Sequence, residues 1–129
     1  MNLSEHDEQC FVINWLDHLA VNLWPQYRMP DGKLLYYAVP NGGKRHIRTA
    51  KKLKMEGTRS GIPDISLPIP VGEHHGLYIE MKRQKGGSTS KEQKMWIDAL
   101  RKMGYRVEVC KGHKEAIRVI TDYLEGVEK

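Results

Sequence analysis

The sequence predicts an α/β fold built in the order α-β-α-β-β-α-β-α. Three observations carry this. Apolar residues recur at helical spacing in three separate stretches, short runs rich in β-branched and aromatic residues lie between them, and Gly or Pro punctuates nearly every boundary. With 129 residues, 40% hydrophobic and 29% charged, the expected organisation is one domain spanning 1–129.

Ser4 is placed to cap a first helix at about 5–22, with Glu5 and Asp7 in a first turn that the helix dipole favours. Val12, Trp15, Leu16, Leu19 and Leu23 form its expected core face. Trp24-Pro25 stops it, and Leu34–Val39 reads as a strand closed by Pro40-Asn41-Gly42-Gly43. A basic helix follows at about 44–56, ended by Gly57. Asp64–Ile69 and Leu77–Lys82 read as two strands joined by a turn through His74-His75, two histidines expected to be solvated rather than metal-bound. A third helix at about 90–103 places Trp96, Leu100 and Met103 on one face. The strand Tyr105–Cys110 and a last helix at about 113–125 complete the chain, and the β-α-β passage has room for a crossover that makes its two strands parallel.

No apolar run approaches the ~18 residues of a membrane span. The first residues lack the basic start and apolar core of a signal peptide. Cys10 and Cys110, without metal-ligand spacing, are expected to be buried reduced thiols in a reducing cytoplasm. The net charge of +5 is concentrated: Lys44–Arg59 holds seven cations (Lys44, Arg45, Arg48, Lys51, Lys52, Lys54 and Arg59) against Glu56 alone, leaving 14 cations and 15 anions elsewhere. Such a patch is the footprint of a polyanionic partner, or else a solvated helix face.

Just beyond the patch stands Gly61-Ile62-Pro63-Asp64, and Glu80-Met81-Lys82 follows on the next strand. If the hairpin is centred on Glu73, Asp64 lies opposite Lys82 and diagonal to Glu80. Alternation along the strands then sets Asp64, Glu80 and Lys82 on one face, provided the register holds. Two carboxylates can share a hard cation such as Mg²⁺ or Mn²⁺, which oxygen ligands suit better than zinc. A lysine beside them can orient or deprotonate the attacking water of phosphodiester hydrolysis. With two carboxylates keeping an ammonium charged, orientation is the role assigned to Lys82. The plainer reading of the three is a solvated pair of carboxylates with a salt-bridged lysine.

Glu8 heads the apolar stripe of the first helix and should point inward, where it needs a partner. A metal site, directly or through water, is one candidate, and its own helix dipole is the other; Glu5 lies on nearly the same face. Ser90-x-x-Gln93 fits a capping box, so Gln93 either reaches back to the Ser90 amide or serves the site.

Together these pieces, from Glu8-Gln9 through Asn41-Gly42-Gly43-Lys44-Arg45, Gly61-Ile62-Pro63-Asp64 and Glu80-Met81-Lys82 to Ser90-x-x-Gln93, resemble the VRR-Nuc family of the PD-(D/E)xK nuclease superfamily. The resemblance implies a restriction-endonuclease-like core, a mixed sheet flanked by helices, and DNA cleavage dependent on a divalent metal. Asp64, Glu80 and the Met81 backbone carbonyl become metal ligands, Lys82 activates water, and Glu8 and Gln93 support the site. Stand-alone members of this size are similar to phage and bacterial proteins and look like homodimeric Holliday-junction resolvases. Phosphates would dock on Lys44, Arg45, Arg48, Lys51, Lys52 and Lys54. A catalytically silent nucleic-acid-binding module and the same chemistry on structured RNA are the alternatives.

Overall fold

Ser4 does cap the first helix. Its side chain accepts from the Asp7 N–H at 3.0 Å, and the Asp7 side chain reaches back to the Ser4 N–H. The computed structural model describes residues 2–40 and 47–127, the side chains of Ile47 and Arg48 excepted. From the cap, α1 (Glu5–Trp15) runs into a π-helical turn at Leu16–Ala20 and continues as α2 (Val21–Leu23), followed by a 3₁₀ turn at Pro25–Tyr27. The π turn widens the winding, so the buried row steps through Glu8, Val12, Leu16, Ala20 and Trp24. Leu19 and Leu23, expected in the core at regular α spacing, are instead 59% and 61% exposed.

Strand β1 (Tyr37–Ala38) is shorter than the run Leu34–Val39; Leu34 is buried and bridges to Arg28 instead. Then come α3 (Ile47–Met55), β2 (Ile65–Leu67), β3 (Leu77–Lys82), α4 (Lys91–Lys102), β4 (Arg106–Lys111) and α5 (His113–Leu124). The sheet order is β1-β2-β3-β4, antiparallel at its first two seams and parallel between β3 and β4. This is the mixed sheet that the sequence implied. Among the described residues no helix is long and apolar enough to cross a membrane.

One face of β2 and β3 carries Ile65, Leu67, Leu77, Ile79 and Met81, all fully buried against Val12, Leu16, Ala116, Val119 and Ile120 of α1, its π turn and α5. The hairpin register corrects the expected one by two residues. Ser66 pairs with Tyr78 and Ile65 with Ile79, which centres the turn on Gly72 and, on extension, puts Asp64 directly across from Glu80. A shift of two preserves side-chain parity, so the polar face keeps its members.

α5 buries Ala116, Val119, Ile120, Tyr123 and Leu124, while Ile117 is only partly covered. On α4 the buried residue is Ile97, whereas Met103 is 68% exposed. Cys110 is buried as expected, but Cys10 is exposed on α1, 3.5 Å from His6 Nε2, and the two form no disulfide.

Candidate active site

β3 delivers two charged side chains into nearly dry surroundings: Glu80 is 1% exposed and Lys82 6%. An ordinary strand would avoid that cost unless the groups were paired. Here they are. Lys82 Nζ lies 3.6 Å from Glu80 Oε2 and donates to Gln93 Oε1 at 3.0 Å, while Gln93 Nε2 donates to Glu80 Oε2 at 2.9 Å.

Gln93 is held from behind as well. It is the third residue of α4, its N–H donating to Ser90 Oγ at 3.1 Å and its Oε1 accepting from the Ser90 N–H at 2.8 Å. The capping box read from the sequence and the bonds to Lys82 and Glu80 therefore coexist in one amide. The cap fixes the side chain that in turn fixes Lys82 and Glu80.

Asp64 enters from the loop before β2. Its Oδ2 accepts from the Met81 N–H at 2.7 Å, and because the N–H and C=O of one strand residue point the same way, the Met81 carbonyl also faces the Asp64 side of β3. Gly61 sets the depth of this loop. It has φ +91°, and a Cβ there would lie 2.8 Å from the Glu92 carbonyl carbon and 2.9 Å from Glu92 Cβ. Only glycine lets the Gly61-Ile62-Pro63-Asp64 loop press against the first turn of α4 beside Gln93.

The third acid is Glu5. Carboxylate oxygens of Glu5, Asp64 and Glu80 lie within 4.8 Å of one another. Burial, then the Asp64 charge, push the Glu80 carboxyl up to about 8 against the pull of Lys82. Burial also raises Asp64, with the Met81 N–H opposing it. Burial and mutual repulsion thus both favour a proton on the pair. Glu80 Oε1 is buried and accepts from no N–H or O–H among the described residues, and the Asp64 and Glu80 carboxyls meet each other through a side-chain hydrogen bond. Acids crowded in this way are what a bound cation would relieve.

Glu8 is fully buried, as its place on the stripe required, but it faces α5. Its Oε1 accepts from the His113 N–H at 2.9 Å and from His113 Nδ1. Burial works to raise the Glu8 carboxyl, yet the His113 bonds outweigh it and hold it below its ordinary value. Gly112, the residue before α5, has no side chain to cap the helix, so Glu8 supplies a carboxylate to that N-terminus from across the fold.

Of the six cations expected to meet DNA, Lys51, Lys52 and Lys54 are exposed on α3; Lys44, Arg45 and the Arg48 side chain lie outside the described residues. Sequence reasoning did not anticipate the Glu8–His113 link, because nothing in the spacing of residues 8 and 113 joins them.

The VRR-NUC domain model matches residues 4–114. The chain belongs to the VRR-NUC family. A solved structure described as a VRR_NUC domain protein is 30% identical and superposes with a TM-score of 0.75, over 97% of this chain and 91% of that one. No curated protein matches. The VRR-NUC family is of nuclease type, and every piece that suggested it falls within the matched span: Asp64, Glu80, Lys82 and Gln93 converge at one place, with Glu5 rather than Glu8 as the acid beside them.

Proposed function

We propose that this VRR-NUC protein is a divalent-metal-dependent DNA endonuclease hydrolysing phosphodiester bonds. The observation that carries the reading is the convergence of the Glu5, Asp64 and Glu80 carboxylates to within 4.8 Å with the Lys82 ammonium against Glu80. The donor set fits the metal: carboxylate oxygens and a backbone carbonyl are hard ligands, suited to Mg²⁺ or Mn²⁺. Asp64, Glu80 and the Met81 carbonyl would hold the ion. We place Glu5 as the third carboxylate and give Glu8 the supporting role of anchoring α5 through His113. A bound ion supplies the charge that stabilises the leaving oxygen and makes a water more acidic.

The chain's own residues do the rest. Lys82 uses one N–H on Gln93 and keeps two to orient the attacking water and a phosphate oxygen. Gln93 stops Lys82 from collapsing fully onto Glu80. The exposed lysines of α3, with Lys44, Arg45 and Arg48 in the same basic segment, dock the phosphate backbone and make binding strongly salt-dependent.

Branched DNA such as a Holliday junction is the substrate we favour, cut by a homodimer that presents two sites. In support, Phe11, Trp15, Leu19 and Leu23 form a row on α1–α2 at four-residue spacing, with Phe11, Leu19 and Leu23 exposed and Trp15 partly so. Residues 9–27 hold a single formally charged side chain, Asp17. Such a surface suits association of two copies better than contact with DNA.

The test is cleavage of matched duplex, flap, four-way-junction and RNA substrates in Mg²⁺ and in Mn²⁺, with Lys82→Ala as control. Junction cleavage lost in Lys82→Ala supports the reading. Preference for RNA reassigns the polymer, and no cleavage of any substrate leaves a silent nucleic-acid-binding module.

A further inference from the structure

The charge count along the sequence finds one basic segment, but the fold assembles a second. β3 ends at Lys82 and runs into Arg83-Gln84-Lys85, all exposed. Its parallel neighbour β4 ends at Lys111, which pairs with Lys82. Paired residues share a face, so the Lys111 side chain leaves the sheet on the same side as Lys82, one strand spacing (about 4.8 Å) away. Beyond it, α5 turns Lys114 and Arg118 outward.

These cations line continuous concave ground. A groove of about 620 Å³ is bordered by Gln84, Lys111, Gly112, Lys114, Glu115 and Arg118. A second, of about 390 Å³, is bordered by Arg83, Gln84 and Lys85 with residues 2–4. Gln84 belongs to both, so they meet at the end of β3. Five cations, from 83–85 and from 111–118, face one acid on the grooves, Glu115. The place is also the one where α/β sheets put ligands, at the carboxyl ends of parallel strands.

We infer that the groove of Lys111, Lys114 and Arg118, continued by Arg83 and Lys85, is a second phosphate-backbone surface that carries nucleic acid past the catalytic lysine. The inference rests on the nuclease reading for its polymer. A strand with its reacting phosphate at Lys82 has the next phosphate against Lys111 and then rounds the carboxyl edge of the sheet to Lys114 and Arg118, since α5 packs on the sheet's other face. The ligand class is a nucleic-acid backbone rather than a lipid surface, because the 620 Å³ groove has no apolar side chain on its border to anchor in a bilayer.

The experiment uses full-length protein carrying Lys82→Ala, so that DNA is bound without being cut. Labelled duplex is titrated across a range of salt, with and without Lys111→Gln, Lys114→Gln and Arg118→Gln together. The proposal expects Kd to rise at least tenfold and the slope of log Kd against log[salt] to fall by about 0.9 for each phosphate that the variant no longer neutralises. Lys114→Glu alone, on an exposed helix position, repeats the test where the triple variant folds poorly. Unchanged Kd and slope in a folded variant overturn the proposal, as does loss of binding to phosphatidylserine vesicles with DNA binding intact. Weakened DNA binding in a protein whose wild type cuts nothing would remove the nuclease reading and leave this surface standing.

Discussion

Lys82 donates to the side-chain oxygen of Gln93 at 3.0 Å, and Gln93 is itself fixed by the cap of α4. One amide thus ties helix initiation to the position of Lys82. Gln93→Ala should lower kcat about 10–100-fold by freeing Lys82 and Glu80. It should also cost about 1 kcal/mol by removing half of the capping box. Ser90→Ala separates the two, costing similar stability while leaving the amide at the site. Cleavage rates and denaturant midpoints of the two variants check this.

Glu5 and Glu8 should part company on substitution. Glu5 is exposed and belongs to the carboxylate group, so Glu5→Ala should weaken Mn²⁺ binding by about tenfold or more with little change in stability. Glu8→Ala leaves the part-buried His113 N–H without its acceptor and should cost about 1–3 kcal/mol. Calorimetric titration of Mn²⁺ and denaturant melts of both variants measure the contrast.

The Glu8 carboxyl is held below its ordinary 4.5. A depressed acid contributes stability above its unfolded pKa and loses it as pH falls through the folded one. Wild type should therefore lose stability below pH 4.5 more steeply than Glu8→Gln, which has no such proton to take up. Melts across that range decide it.

Glu80 behaves in the opposite sense. Its pKa rises from 4.5 to about 8, so its contribution is fully present below pH 4.5 and is lost as pH rises through about 8. In metal-free buffer Glu80→Gln should become progressively more stable than wild type across that window, and Mn²⁺ should narrow the gap by stabilising wild type alone. Thermal midpoints with and without the ion are the measurement.

Gly61→Ala forces a Cβ to 2.8 Å from the Glu92 backbone at a φ of +91°. It should cost about 1–3 kcal/mol and move Asp64 away from Glu80. A lower melting midpoint together with weaker Mn²⁺ binding would bear this out.

Much of this was legible in the sequence because alternation and capping are local rules. Strand β3 fell where its residues placed it, and the acids of the Asp64 loop and β3 shared a face because the two-residue register error left parity intact. What was not legible depends on distant chain segments. The π turn at Leu16–Ala20 moved Leu19 and Leu23 out of the core, and no spacing signal announces such a turn. Glu8 found a helix end 105 residues away. The second basic surface was hidden because its cations are split between 83–85 and 111–118, which the β3–β4 pairing joins.

If Asp64, Glu80 and Lys82 form a metal-dependent nuclease centre, single-turnover cleavage of a four-way junction in Mn²⁺ depends on these residues and on the ion. Wild type should cut, should stop when the ion is chelated, and should fall to background as Asp64→Ala or Lys82→Ala. Undiminished cleavage by a folded Asp64→Ala protein, or by wild type in chelator, would contradict it.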